Sequence, residues 1–177
     1  HPDRVTVAAG APWFMALFGR DSILASWMTL PIDTRLALGT LQALAERQGT
    51  HVNPISEEEP GRILHEVRFG ADSEPVRGGA QIYYGSVDST PLFVMLLGEL
   101  RCRGLAPTEI NALLPAADRA LEWITTFGDR DDDGFVEYHR ATDRGLRNQG
   151  WKDSFDGVNF ADGRLADAPI ALCEVQG

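Results

Sequence analysis

Four apolar segments with helical spacing constrain the fold of this chain more than any other feature. They cover 22–30, 34–47, 91–103 and 107–127, and in the second of them Leu36, Leu41 and Leu44 recur at the period of an amphipathic helix. Strand-type alternation is almost absent. The pattern predicts paired helices joined by long polar loops, which is an all-α architecture.

The ends of these segments carry helix punctuation. Asp21 or Ser22 is predicted to cap the first helix and Thr34 the second, since short polar side chains are favoured at that position. The stretch 169–175 is predicted to start a further helix that is unfinished when the chain stops. We therefore expect truncation at the C-terminal end, and also at the N-terminal end because the sequence does not begin with Met.

Composition excludes several classes of partner. The net charge of −10 argues against nucleic acid, because binding phosphates needs clustered cations. No apolar run approaches the roughly 18 residues of a membrane span, and no signal peptide is recognisable. The two cysteines, Cys102 and Cys173, are far apart and form no CxxC motif, which predicts a reducing, cytoplasmic environment. At 177 residues the chain is long enough for one domain.

The first chemically suggestive loop leads into the first helix. Trp13 precedes an FGRD motif at 18–21, so an aromatic face lies beside Arg20 and Asp21. Such a group suits a sugar, whose apolar face stacks on a ring while its hydroxyls bond to charged side chains. The alternative is a buried ion pair with a capping aspartate.

Two further candidates lie between the second and third helices. Glu66 is either a ligand for the same site or part of a surface strand or turn. The YGSVD motif at 84–88 places Asp88 immediately before a very apolar helix, with Tyr84 as an aromatic neighbour. That carboxylate is predicted to be either a helix cap or a ligand contact, and the sequence favours neither.

The densest polar stretch is 148–157, which contains Trp151, Asp153 and Asp156. Desolvation beside an aromatic ring favours the neutral form of a carboxyl, as a general acid requires. The alternative is a loop with Asx-turns at the two aspartates. The acidic stretch 129–137 matches the first positions of a calcium loop but has Arg140 where an EF-hand has glutamate, so we predict an acidic turn and no metal site.

The motifs FGRD (18–21), YGSVD (84–88) and GWKDS (150–154), in this order and spacing, together resemble the amylo-α-1,6-glucosidase and glycogen-debranching group of glycoside hydrolases. The resemblance implies an (α/α)6 toroid of the six-hairpin glycosidase type. On this basis residues 1–177 would be about the first half of that catalytic domain.

The resemblance also implies roles. Asp153 would be the general acid of an inverting reaction, and no residue of the chain matches the family's glutamate base, so the fragment alone is expected to be inactive. Inversion needs two carboxyl groups about 6.5–9.5 Å apart. Glu174 lies where a later family loop approaches the pocket. The implied substrate-binding residues are Trp13, Arg20, Asp21, Glu66, Tyr84, Asp88, Trp151 and Gln176.

The expected activity is hydrolysis of α-glucosidic bonds in carbohydrate metabolism, with an α-glucan or oligosaccharide as partner and no cofactor. Neither nucleic acid nor a membrane is expected as a partner. Two alternatives stay open at this point. One is a trehalase-like or glycosylglycerate-type hydrolase, and the other is a non-catalytic helical module that binds carbohydrate or calcium through 129–137.

Overall fold

The computed structural model describes residues 4–9, 16–67 and 81–176. This part of the chain forms four α-helices and two small antiparallel sheets. The helices are α1 (Gly19–Thr29), α2 (Thr34–Ala45), α3 (Ser89–Cys102) and α4 (Pro107–Trp123). All four predicted helices are therefore present, with ends that differ by a few residues.

The helix starts differ from the predicted caps. Phe18 occupies the N-cap of α1 without a side-chain cap, so the prediction of Asp21 or Ser22 there was wrong. Asp33, not Thr34, caps α2 by accepting a hydrogen bond from the backbone N–H of Arg35. The last helix has Pro107 in its first turn, where a missing N–H is not needed.

The core lies between the four helices. Helix α1 packs against α2 and α3, and α3 packs against α4. Ile23, Leu41, Phe93, Leu96 and Ile110 are almost completely buried there. Each such side chain contributes roughly 1.5–3 kcal/mol by leaving water, so the amphipathic spacing seen in the sequence is what assembles this bundle.

The first sheet has three strands and the second has two. In the first, Phe18 pairs with Glu66, which pairs with Tyr83; in the second, Tyr138 pairs with Ile170. The strands are β1 (Leu17–Phe18), β2 (Glu66–Val67), β3 (Ile82–Tyr83), β4 (Glu137–Tyr138) and β5 (Ile170–Ala171). The order in the first sheet is β1-β2-β3, and in the second β4 pairs with β5.

These sheets overturn the predicted fold class. The described residues are mixed α and β, not all-α, and the expected half of an (α/α)6 toroid is not what they form. Strands of two residues are too short to show the alternation by which a sequence reveals them. The helix predicted over 169–175 is also wrong, since β5 and a 3-10 turn (Cys173–Val175) occupy that stretch. No described helix is long and apolar enough to cross a membrane.

Candidate active site

A close backbone contact between the start of α1 and the segment before β2 positions the first residue of the site. The N–H of Gly19 donates to the carbonyl of His65 at 2.9 Å. A Cβ atom at Gly19 would lie only 2.1 Å from the carbonyl oxygen of Leu64. Only glycine permits this approach, and it places Arg20, the second residue of α1, at a fixed position beside the start of α3.

Arg20 joins two carboxylates from distant parts of the chain. Its Nη1 donates to Oδ2 of Asp88 at 2.7 Å, and its Nη2 donates to Oδ2 of Asp153 at 3.0 Å. Arg20 and Asp88 are buried, whereas Asp153 is part-exposed. The Nε of Arg20 is buried without a hydrogen-bond partner among the described residues. The planar guanidinium thus fixes the spacing of the two carboxylates.

Asp88 occupies the N-cap position of α3, but its side chain does not cap the helix. It precedes α3 but has helical backbone angles and makes no capping hydrogen bond. Its Oδ2 accepts from Arg20, and its Oδ1 accepts from the hydroxyl of Ser86 at 2.5 Å. The sequence left a cap and a ligand contact open for Asp88; its carboxylate is turned toward Arg20.

The loop that carries Asp153 is held by two buried amides. The side-chain Nδ2 of Asn148 donates to the carbonyl of Ser154 at 2.6 Å, which closes the loop around Asp153. The backbone carbonyl of Gln149 accepts from the N–H of Val87 at 2.8 Å. Asn148 therefore closes the Asp153 loop, and Gln149 ties it to the chain immediately before α3.

A cavity of about 210 Å³ lies beside this ion-paired group, between α1, α3 and the turn at 173–175. Trp151 is 61% exposed, and its ring centroid lies 5.7 Å from the Cζ of Arg20. The cavity lining has a charged part and an apolar part. The charged part comes from Arg20, Asp88 and Glu174, and the apolar part includes Leu24, Leu92 and Met95.

Burial and the neighbouring charges shift the pKa of two groups in the site. Burial raises the pKa of Asp21, and Asp153 and Asp88 raise it further while Arg20 lowers it. The pKa of Arg20 is also raised: burial opposes its charge, but Asp88 and Asp153 more than compensate. Asp21 is therefore a carboxyl that holds a proton more readily than an ordinary aspartate.

Three of the predicted binding residues have other contacts. Glu66 is buried in β2 between Phe18 and Tyr83. Tyr84 is buried too, and its hydroxyl donates to the carbonyl of Arg47 at 2.8 Å; burial raises its pKa to about 12.

Gln176 is the third of these residues. Its amide nitrogen donates to the carbonyls of Val136 (2.7 Å) and Leu172 (3.0 Å), and its oxygen accepts from the N–H of Val136. The cavity lining contains neither Tyr84 nor Gln176, nor Glu66. Asp21 and Asp153 do not line it either, but they interact with Arg20, which does. Trp13 lies outside the described residues. The structure therefore groups Arg20, Asp21, Asp88, Trp151 and Asp153, five of the nine predicted site residues.

Sequence reasoning assigned no role to Ser86 or to Asn148. The signal for Ser86 was its place inside the YGSVD motif, two residues before Asp88, where its hydroxyl can reach that carboxylate. For Asn148 the sequence signal was weak: it is a polar amide at the start of the polar stretch 148–157. The contact of Asn148 cannot be deduced from spacing, because it depends on how the loop folds back.

The acidic turn lies apart from this group. Asp129, Asp131, Asp133 and Glu137 can bring one carboxylate oxygen each within 4.8 Å of the others. Asp129 accepts from the N–H groups of Asp133 and Gly134, and Glu137 accepts from the N–H of Arg130. Burial raises the pKa of Glu137, as do the three aspartates. The backbone of the turn itself supplies donors to its carboxylates.

No protein-family model matches the chain, and no curated protein matches it.

Proposed function

We propose that this chain contributes the sugar-binding and proton-donating part of a glycoside hydrolase of the amylo-α-1,6-glucosidase type, acting on α-glucosidic bonds with inversion. The observation that carries the proposal is the double ion pair of Arg20 with Asp88 and Asp153 at the edge of a cavity that Trp151 also lines. Three motifs distant in the chain, each named in the resemblance, supply these residues.

The chemistry of this group suits a terminal glucose. A guanidinium and a carboxylate can form charge-assisted hydrogen bonds to neighbouring hydroxyls, which are stronger than neutral ones. Arg20 and Asp88 are rigidly paired and so would present donors and acceptors without further ordering. The exposed ring of Trp151 offers the apolar surface on which a pyranose stacks, in the manner usual for ligand sites with few polar groups.

Protonation of the glycosidic oxygen is assigned to Asp153. Its carboxyl is part-exposed and lies next to Trp151 in the chain, whereas Asp88 is buried and held by both Arg20 and Ser86. The donor must be neutral at the moment of bond cleavage. Asp21, whose pKa is raised by burial, is assigned to holding the sugar and not to this proton transfer. The attacking water requires a base on the opposite face of the sugar, which we assign to no residue of this chain.

A hydrolase is favoured over a purely structural or binding module by the charges of the site. Asp21, a part-buried carboxyl with a raised pKa, interacts with Asp88 and Asp153, and perturbed carboxyls grouped in this way are typical of functional sites. A trehalase-like or glycosylglycerate-type hydrolase would use the same sugar-holding group and differ in the leaving group. We place the protein in the cytoplasm, in keeping with Cys102 and Cys173, which are both free thiols.

The test is to follow hydrolysis by proton NMR. The natural full-length protein is incubated with an α-1,6-linked glucose oligosaccharide, and the anomeric signals are recorded from the first minutes. We expect β-glucose to appear first and to mutarotate later to the equilibrium mixture. No release of glucose from this linkage, or α-glucose as the first product, would contradict the proposal. Parallel reactions with α,α-trehalose and a glucosyl glycerate separate it from the two related hydrolase activities.

A further inference from the structure

We propose that Asn148 is a positioning residue that holds Asp153 against Arg20; the inference deepens the proposed function and its catalytic part rests on it. Asn148 is 1% exposed, and both ends of its amide are engaged. Its Nδ2 donates to the carbonyl of Ser154, and its Oδ1 accepts from the hydroxyl of Tyr138 at 3.0 Å. A buried amide whose donor and acceptor are both used has a single orientation.

The Asn148 amide closes the loop that carries Asp153. Ser154 directly follows Asp153, so the bond from Asn148 closes a short loop in which Asp153 is the next-to-last residue. The side chains of Trp151, Lys152 and Ser154 are largely exposed. Among the described residues, the Ser154 carbonyl accepts from the backbone N–H of Gly157 at 2.9 Å as well as from Asn148, and of these two donors the Asn148 amide is the buried side chain.

Tyr138 holds the oxygen of the Asn148 amide in place. Tyr138 lies in β4, is 1% exposed and packs in the small core of Val87, Val136 and Val175. Its hydroxyl therefore has a fixed position, and the orientation of Asn148 follows from it. The chain of contacts runs from a rigid strand through Tyr138 and Asn148 to the backbone beside Asp153.

Gln149, the neighbour of Asn148, is fixed beside the second carboxylate, Asp88. Gln149, also 1% exposed, is held by Arg62, which donates to its Oε1 at 3.0 Å, and by Glu57, which accepts from its Nε2. Its backbone carbonyl accepts from Val87, next to Asp88. Gln149 thus holds the chain beside Asp88, and its neighbour Asn148 holds the backbone beside Asp153.

The test uses Asn148→Ala in the natural full-length protein, with Tyr138→Phe as a milder variant and Asn111→Ala as the control. Asn111 is exposed on α4, remote in sequence from the site. Tyr138→Phe keeps the ring and removes only the hydroxyl that orients Asn148. It therefore reports on positioning even where Asn148→Ala does not fold.

The kinetic readout separates positioning from loss of fold. We expect Asn148→Ala to lower kcat on the α-1,6 linkage by about 10-fold or more, since a displacement of about 1 Å can cost 10²-fold. KM should change little, and hydrolysis of α-glucosyl fluoride should be largely spared, because fluoride needs less protonation. In an Asp153→Asn background the same change should lower kcat no further, since residues acting through one another are not additive. Equal losses on both substrates, or a full additional loss in that background, would overturn the proposal.

A second readout does not depend on turnover. The side-chain ¹H–¹⁵N signals of Arg20, assigned by their loss in Arg20→Lys, report the contact with Asp153. We expect Asn148→Ala and Tyr138→Phe to move these signals in the direction that Asp153→Asn moves them, and Asn111→Ala to leave them in place. Unchanged Arg20 signals in folded Asn148→Ala would refute positioning even in a protein without glycosidase activity. A shift without glycosidase activity in the wild type would instead keep the positioning and refute the function.

Discussion

Nη2 of Arg20 donates to Oδ2 of Asp153 at 3.0 Å, although the two residues are 133 positions apart in the chain. The same guanidinium donates to the buried Asp88. One side chain at the start of α1 thus connects the first helix, the start of α3 and the loop after β4. The candidate site exists only when these three parts are folded together, so its integrity and the stability of the fold should be linked.

That linkage predicts a large cost for Arg20→Lys. A lysine can donate to one carboxylate but lacks the planar fork that joins two, so Asp88 or Asp153 would lose its partner. We expect a loss of about 3–5 kcal/mol in the free energy of unfolding, as for other buried pairs that are broken on one side. Urea denaturation measures it. Arg35→Lys is the control, since Arg35 pairs with Asp33 on the surface and its loss should be much smaller. Comparable losses in both variants would contradict the account.

The close approach of α1 to Leu64 predicts that Gly19→Ala is destabilising. The added Cβ would lie 2.1 Å from a backbone oxygen, so α1 must shift and carry Arg20 with it. We expect a loss of about 1–3 kcal/mol, typical of overpacking. Gly98→Ala in α3 is the control, because nothing lies within 4 Å of its added Cβ, and it should stabilise by about 0.4–1 kcal/mol. Thermal and urea melts of both variants check this, and a stable Gly19→Ala protein would refute the contact.

The raised pKa of Asp21 predicts a pH-dependent stability. Its folded form binds a proton more tightly than its unfolded form, so its contribution is fully present below the unfolded pKa of about 3.9 and is lost as pH rises through the folded pKa. The difference in unfolding free energy between wild type and Asp21→Asn should therefore fall as pH rises across this range.

Asp33→Asn provides a control of opposite sign. Hydrogen bonds from the side chain and backbone of Arg35 lower the pKa of Asp33, so its contribution is present above the unfolded pKa and is lost as pH falls. Urea denaturation at a series of pH values measures both differences. A flat or rising difference for Asp21→Asn would show that burial does not govern its protonation.

The acidic turn predicts little response to calcium. Asp129 and Glu137 already accept hydrogen bonds from backbone N–H groups of the turn, and Arg140 stands where an EF-hand has its bidentate glutamate. We expect millimolar calcium to change the melting temperature by no more than about one degree, because a tight site would add several kcal/mol by linkage. Magnesium at equal ionic strength is the control. A larger calcium-specific shift that Asp131→Asn abolishes would establish a metal site.

The helices were predictable because their information is local. The apolar spacing of α2 and the proline at the start of α4 report directly on helix formation. The two sheets were not predictable, because a strand such as β2 pairs through two residues only and its partners are distant in sequence. Their presence depends on how the loops cross over the helices, which local pattern does not encode.

The candidate site was predictable in part for the same reason. The resemblance implied that Arg20, Asp88 and Asp153 belong to one site, and the structure brings their side chains into contact, while their role toward a sugar stays a prediction. Tyr84 and Gln176 have the same polar character, but their hydrogen bonds go to backbone carbonyls away from the cavity. Chemistry alone does not distinguish a ligand contact from a structural one; the direction of the side chain does.

The most direct test of the central claim is the turnover of Asp153→Asn on two substrates. The asparagine keeps the shape of the side chain but has no proton to donate. We predict that kcat on α-1,6-linked glucan falls by at least about 10²-fold, as is usual when a general acid is lost. The KM should change little and α-glucosyl fluoride should be largely spared. Asp21→Asn should instead weaken the binding of both substrates to the same extent. Near-normal turnover of the natural linkage by Asp153→Asn would contradict the assignment of Asp153 as the acid.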